Sequence, residues 1–223
     1  MGQITSLFVW KFLRAARTTA DTTSLLTAAG LDPDAPVDPA YMISDTDYYT
    51  FVESLSAIDE DAPTLPLRTG ASMACDDYGA FGLAWKSALH VRGSYERAER
   101  YARILTSVAT YEVESSDDGA YMHLHREGER RLGMRMSNEA TIASILSISR
   151  EVSSTPFSPT AIYFKHPAPE SIAAHEAHFG CPVHFDSDRG CAPRLERNAP
   201  YTQQTGRREH LELLRRPPRS RTR

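Results

Sequence analysis

Apolar residues along the first hundred positions recur at helical spacing. Over 4–29 the stripe is Leu7, Phe8, Trp10, Phe12, Leu13, Leu25 and Leu26, and Gly30 stands where a helix ends in a left-handed residue. This predicts one helix over 4–29. Asp32-Pro33-Asp34 and Val37-Asp38-Pro39 follow as a stiff turn segment. A second helix starts at Ser44 or Asp45 and turns Tyr48, Tyr49, Phe51, Val52, Leu55 and Ile58 inward. A third fits 65–74, with Pro66 in its first turn. The Gly79–Ala84 stretch opens an apolar helix through Leu89, and Ser94 is a suitable N-cap for a helix reaching Val108.

The period then changes. Tyr111, Val113 and Ser115 alternate with polar residues, Asp118-Gly119 is a hairpin signal, and 121–125 reads as the return strand. A long helix fits 132–152, with Ile142, Ile145, Leu146 and Ile148 on its core side, and Pro156 and Pro159 stop it. A strand over 161–164, a helix over 169–179 closed by Gly180, and a short strand over 183–185 complete the body. The fold class is α+β: a helical N-terminal half, then a small mixed sheet packed with helices.

At 223 residues with 41% apolar and 24% charged residues, the chain is large enough for a sizeable core. No run approaches the roughly 18 apolar residues of a membrane span. The run over 7–13 carries Lys11 and lacks a small-residue cleavage site, so no secretory signal is expected. Met1-Gly2 with Ser6 fits an acylation pattern, but one short enough to arise by chance. Cys75, Cys181 and Cys191 have neither metal nor redox spacing, which suits a reducing, cytoplasmic setting.

Charge divides the chain. Residues 1–188 hold 15 Lys and Arg against 26 Asp and Glu, whereas 189–223 hold 10 Arg against 3 Glu. An acidic body is a poor nucleic-acid surface, because phosphates demand clustered cations. The organisation expected is a body over 1–188 and an Arg- and Pro-rich tail over 189–223. The tail has no Lys, Ile, Val or Phe, so it is expected to be disordered. Its abrupt change of composition reads as the frame-shifted translation of a GC-rich gene. The competing reading is an arginine-rich arm for nucleic acid or an acidic partner.

The segments Ile162–Pro169 and His175–Phe185, with Leu26-Ala29-Gly30-Leu31 and Gly79–Ala84, resemble the N-terminal domain of AraC-type transcription regulators over about residues 15–188. The resemblance implies a small-molecule effector and self-association, as a homodimer or with a full-length relative, through a helix over 94–108 or 132–152. In that family a pair of helix-turn-helix motifs follows the sensor domain, and none is legible after Asp188. The resemblance therefore implies no specific DNA binding by this chain. Pro167, Pro169, Gly180 and Pro182, within the best-matching motif, are first of all devices that shape its turns.

Residues with chemistry are few. His123 and His125 share a strand face, and His175 and His178 lie three apart on a helix beside Glu176 and Cys181, so each pair has metal-binding geometry but no third ligand at compelling spacing. A metal-binding protein or small enzyme using these histidines is the alternative reading. Phosphate loops, nucleophile elbows and zinc-protease helices are missing. No enzyme activity, cofactor or metal is therefore expected. The candidate ligand-binding residues are Arg68, Phe81, Trp85 and Tyr101, near helix–loop junctions. Aromatic walls and one cation suit a small acid or an acyl chain. The same four could equally be core aromatics and a surface arginine.

Overall fold

The computed structural model describes residues 2–116, 119–188 and 192–195. It begins with a strand, β1 (Gln3–Thr5), antiparallel to β2 (Met42–Ser44). Between them lie α1 (Leu7–Ala15) and α2 (Thr23–Ala28). The single helix expected over 4–29 is thus broken. Its middle finds partners elsewhere: Arg17 N–H donates to Asp59 Oδ2 at 2.7 Å, and Glu60 N–H donates to Arg17 carbonyl at 2.9 Å. These tertiary bonds replace intrahelical ones where β-branched Thr18, Thr19 and Thr22 favour a helix least.

Helix α3 (Asp45–Ile58) is N-capped as expected, with Ser44 Oγ accepting from Asp47 N–H at 3.0 Å. Its inward face is the one anticipated, except that Ile58 is exposed. Helix α4 (Leu65–Ala71) is followed by a 3-10 turn over Cys75–Tyr78, then α5 (Ala80–Lys86) and α6 (Val91–Tyr101). Ser94 is not the cap of α6, whose first residue is Val91. Its fully buried hydroxyl instead donates to the Trp85 carbonyl at 2.8 Å, tying α6 to the end of α5.

Strands β3 (Ala109–Ser116) and β4 (Gly119–Arg126) form the expected hairpin. After α7 (Leu132–Val152) come β5 (Ala161–Tyr163), α8 (Ala173–Phe179), β6 (Val183–His184) and β7 (Ala192–Leu195). Among the described residues the sheet order is β3-β4-β7-β5-β6, with only β5 and β6 parallel. Gly180 ends α8 at φ +72°, a conformation that strains a residue bearing Cβ. The composition break at residue 189 lies just before β7, which inserts between β4 and β5. The remainder of the Arg- and Pro-rich tail lies outside the described residues.

Helix α7 organises all of this. Fourteen of its 21 residues are buried. Met134, Met136 and Ala140 belong to a core shared with α1, α2 and α3, while Ile142, Ile145, Leu146, Ile148 and Val152 belong to one shared with α5, α6 and the sheet. The helix lacks a side-chain cap of its own. Glu53 on α3 supplies it, accepting from Gly133 N–H at 2.8 Å while also receiving the Arg131 guanidinium. Helix α4 crosses α7 so closely that Gly70 leaves no room for a methyl group: a Cβ there would lie 2.3 Å from Ala143 Cβ and 2.6 Å from the Ala140 carbonyl oxygen.

Gly70→Ala is expected to destabilise the chain by about 2–3 kcal/mol through overpacking against backbone. Gly93→Ala, where a Cβ would meet only Ala88 Cβ at 3.3 Å, should change stability by less than about 1 kcal/mol. Urea unfolding of both variants checks the pair. Equal effects would mean that the α4–α7 contact relaxes freely.

Candidate functional site

Two concave places present functional side chains. The first is an enclosed cavity of about 30 Å³ where the two cores meet, bounded by residues of α1, α3 to α6, β3, β4 and α7. Its aromatic side is a chain of ring contacts: Phe8 to Tyr78 at 6.1 Å, Tyr78 to Phe81 at 5.5 Å, Phe81 to Trp85 at 6.2 Å and Trp85 to Tyr95 at 5.5 Å. Its other side is a polar stripe on α7. Tyr48 donates to Ser137 at 3.1 Å and Tyr78 to Ser144 at 2.9 Å, with Thr141 between them. Burial pushes both phenols well above their usual range, so they stay neutral donors. At about 30 Å³ the cavity has room for a water molecule, and anything larger must part its walls.

The second is an open cleft of about 590 Å³ at the other end of α7, formed by the end of β4, the first turns of α7 and the segment after β5. Arg126, Arg130, Arg131, Arg135 and Lys165 face it, with Asp188 as the single carboxylate in its wall. Its size is that of an ordinary small-molecule site.

The four residues singled out from the sequence divide between these surroundings and the surface. Phe81 and Trp85 are buried and line the enclosed cavity together. Arg68 is elsewhere, gripping Asp59 with two hydrogen bonds of 2.8 Å and donating to the Ala15 and Asp61 carbonyls. The Asp59 side chain is fully buried. Burial alone would raise its pKa, but hydrogen bonds from Arg17 N–H and Arg68 hold it below the usual carboxylate range. Tyr101 is 37% exposed, with the Arg100 guanidinium 5.6 Å from its ring centre. The polar stripe and the cationic cleft were missed. Ser137, Thr141 and Ser144 do recur at helical spacing, and four arginines do fall within 126–135 of an acidic body.

The histidines are dispersed. His123 and His125 each face a glutamate across the hairpin, Glu114 at 2.8 Å and Glu112 at 3.0 Å. His175 is 1% exposed and bonds Glu139 at 3.0 Å, and His166 lies 3.2 Å from the other oxygen of that carboxylate. Among the described residues no three His, Cys, Asp or Glu side chains converge as a metal site would require. Burial, chiefly, pushes the Cys75 thiol up to about 12 and the Cys181 thiol up to about 11, so neither is a thiolate nucleophile. Cys191 lies outside the described residues.

Both concavities lie within one α+β body, and the class of protein follows from the comparisons. The model of the arabinose-binding N-terminal domain of AraC transcription regulators matches residues 20–192, and the chain belongs to that family. The fold is similar to the crystal structure of the transcriptional regulator CdpR from Pseudomonas aeruginosa, with a TM-score of 0.59 and 16% identity over 89% of this chain. This chain spans 58% of that regulator's length. No curated protein sequence matches it. Among the described residues, no helix is long and apolar enough to cross a membrane.

Two histidines predict an acid response. Burial first, then Arg150, holds His178 below its ordinary 6.5, and burial likewise lowers His166. Below about pH 6.5 the unfolded chain therefore takes up protons that the folded chain refuses. Stability should fall as the pH drops from 7 towards 5, by up to about 1.4 kcal/mol per pH unit for each group. His178→Gln should flatten that slope in urea titrations at several pH values. An unchanged slope would assign the acid loss to other groups.

Proposed function

We propose that the chain is the effector-sensing and self-associating part of an AraC-type regulator acting in the cytoplasm, and not an enzyme. The observation that carries this reading is the position of the enclosed cavity. Phe81 and Trp85 stand in its wall with elements from both cores, so a molecule seated there would alter the packing of nearly the whole body. A ligand that opens a closed cavity binds one arrangement of the walls better than another, which is the requirement for a switch. Aromatic rings opposite neutral hydroxyls suit a small acid or an acyl chain, with the hydroxyls as orienting donors. Specific DNA contact is not assigned to the acidic body.

Differential scanning fluorimetry against aromatic and medium-chain carboxylic acids tests the assignment. At about 100 times Kd, an effector should raise Tm by about 5–10 °C. Trp10→Phe leaves Trp85 as the sole tryptophan. In that background, binding should shift the emission, and Phe81→Ala should weaken binding about tenfold or more. Stabilisation without any change in Trp85 emission would place the effector elsewhere.

Self-association is proposed through the α5–α6 side. Of the two helices expected to make the contact, α7 is spent on the protomer's own cores. Around α6, Leu83, Leu89, Tyr101 and Ile104 are 64%, 55%, 37% and 53% exposed. Sedimentation should show a dimer by about 100 μM, with Leu83→Glu or Ile104→Glu returning it to monomer. A monomer at every concentration would remove this part of the proposal.

A further inference from the structure

The cationic cleft serves no part of the function proposed above, and its electrostatics are unbalanced. Arg126 shows this best. It ends β4 on the same face as the core residues Met122 and Leu124, and so is carried inward against α7. Its guanidinium donates to Asn138 Oδ1 at 2.8 Å, to Tyr49 Oη at 3.3 Å and to Thr141 Oγ1 at 3.3 Å. All three acceptors are neutral, so a permanent cation lies half-buried without a counter-charge among the described residues. Lys165 and Arg130 are exposed at the same cleft, and neither makes an ion pair with a described residue.

The other two cations are partly satisfied. Arg131 is held by Glu53, which also occupies the N-terminus of α7. Arg135 lies 3.8 Å from Glu139, a carboxylate already engaged by His175. Among the described residues the cleft thus keeps three cations without carboxylate partners, in a body that is otherwise strongly acidic. Five of its 15 Lys and Arg over 1–188 line this one concavity.

We propose that this cleft is a binding site for a small organic anion carrying at least two negatively charged oxygen groups, such as a polycarboxylate or a phosphorylated metabolite. Arg126 receives one group at the floor, while Arg130 and Lys165 receive the other at the rim. Leu124, Leu132, Met134 and Pro167 supply apolar wall for the carbon skeleton between them. Concavity and charge both favour a small ligand over nucleic acid. Duplex DNA would bring its phosphates against a body in which 26 Asp and Glu outnumber 15 Lys and Arg over 1–188, whereas a small anion meets only the cations that line the cleft. The site shares no lining residue with the aromatic cavity, and it stands whether or not that cavity takes the effector.

Isothermal titration of the full chain with citrate and with inorganic pyrophosphate, at about 150 mM salt, tests the proposal, with acetate as the single-charge control. Saturable one-to-one binding in the sub-millimolar range is expected for at least one of the first two, and none for acetate. Arg126→Gln should weaken it at least tenfold. Because that variant also removes hydrogen bonds to α3 and α7, Arg130→Gln and Lys165→Gln provide the exposed counterparts, each costing about three- to tenfold. Arg92→Gln, on the outer face of α6 and paired with Glu96, should bind as the parent does. No saturation by either polyanion up to about 10 mM overturns the proposal. So does equal binding by the Arg130, Lys165 and Arg92 variants, or displacement of the bound polyanion by duplex DNA at a lower concentration than by the free polyanion.

Discussion

The burial of α7 is the constraint to which the other elements conform. A helix with two thirds of its residues inside the protein must find partners around its whole circumference, and this one is not uniformly apolar. Ser137, Ser144 and Ser149 are buried on it, as is Glu139. Each requires a hydrogen-bonding neighbour, because an unsatisfied buried polar group costs on the order of 1–3 kcal/mol. Tyr48, Tyr78 and Tyr95 meet the three serines, and His175 meets Glu139. These bonds fix the rotation of α7 in a way that apolar contacts alone would leave loose. They also set α3, α6, α8 and the 3-10 turn before α5 relative to one another. The enclosed cavity is a product of the same requirement, since it forms where phenols and rings cannot fill the space beside a hydroxyl-bearing face.

Much of the fold was legible in the sequence, and the misreadings have physical causes. The strands of the hairpin, the capped α3, the long α7 and the Gly180 stop all depend on local signals: period, cap and turn residue. The break between α1 and α2 depends on Asp59 and Glu60, some forty residues away, which no local pattern announces. Ser94 has the right chemistry for a cap but is drawn to the Trp85 carbonyl by packing. The two buried aromatics among the candidate pocket residues, Phe81 and Trp85, fall together because they lie one turn apart on α5. Arg68 reads in the sequence as the cation of the same pocket. Its part is to bridge the segments around residues 15 and 59–61, which follows from Asp59 being buried and is invisible in a linear reading.

The charge of the chain carries a similar lesson. A net value near zero, or even the acidic total of the body, says nothing about where the cations stand. Arg126, Arg130, Arg131 and Arg135 are separated by helical and hairpin intervals that look unremarkable one by one. The fold converges them because the β4–α7 connection is only a few residues long. Lys165 joins them from the segment after β5. Family membership agrees with ligand binding in general terms, while the cleft is defined by where the fold brings these five groups.

The close crossing of α4 and α7 has a mechanical consequence. With Gly70 seated against Ala140, Ala143 and Ser144, the two helices have neither long side chains to swing between rotamers nor a gap in which to slide. Backbone in direct contact with backbone deforms little under load. The pair therefore forms a stiff crossing at Gly70 that resists sliding of one helix on the other. The compliant joints must lie where side chains are large and interchangeable, among the rings of α5 and α6. A motion of this body would accordingly be a tilt of those two short helices about a stationary beam.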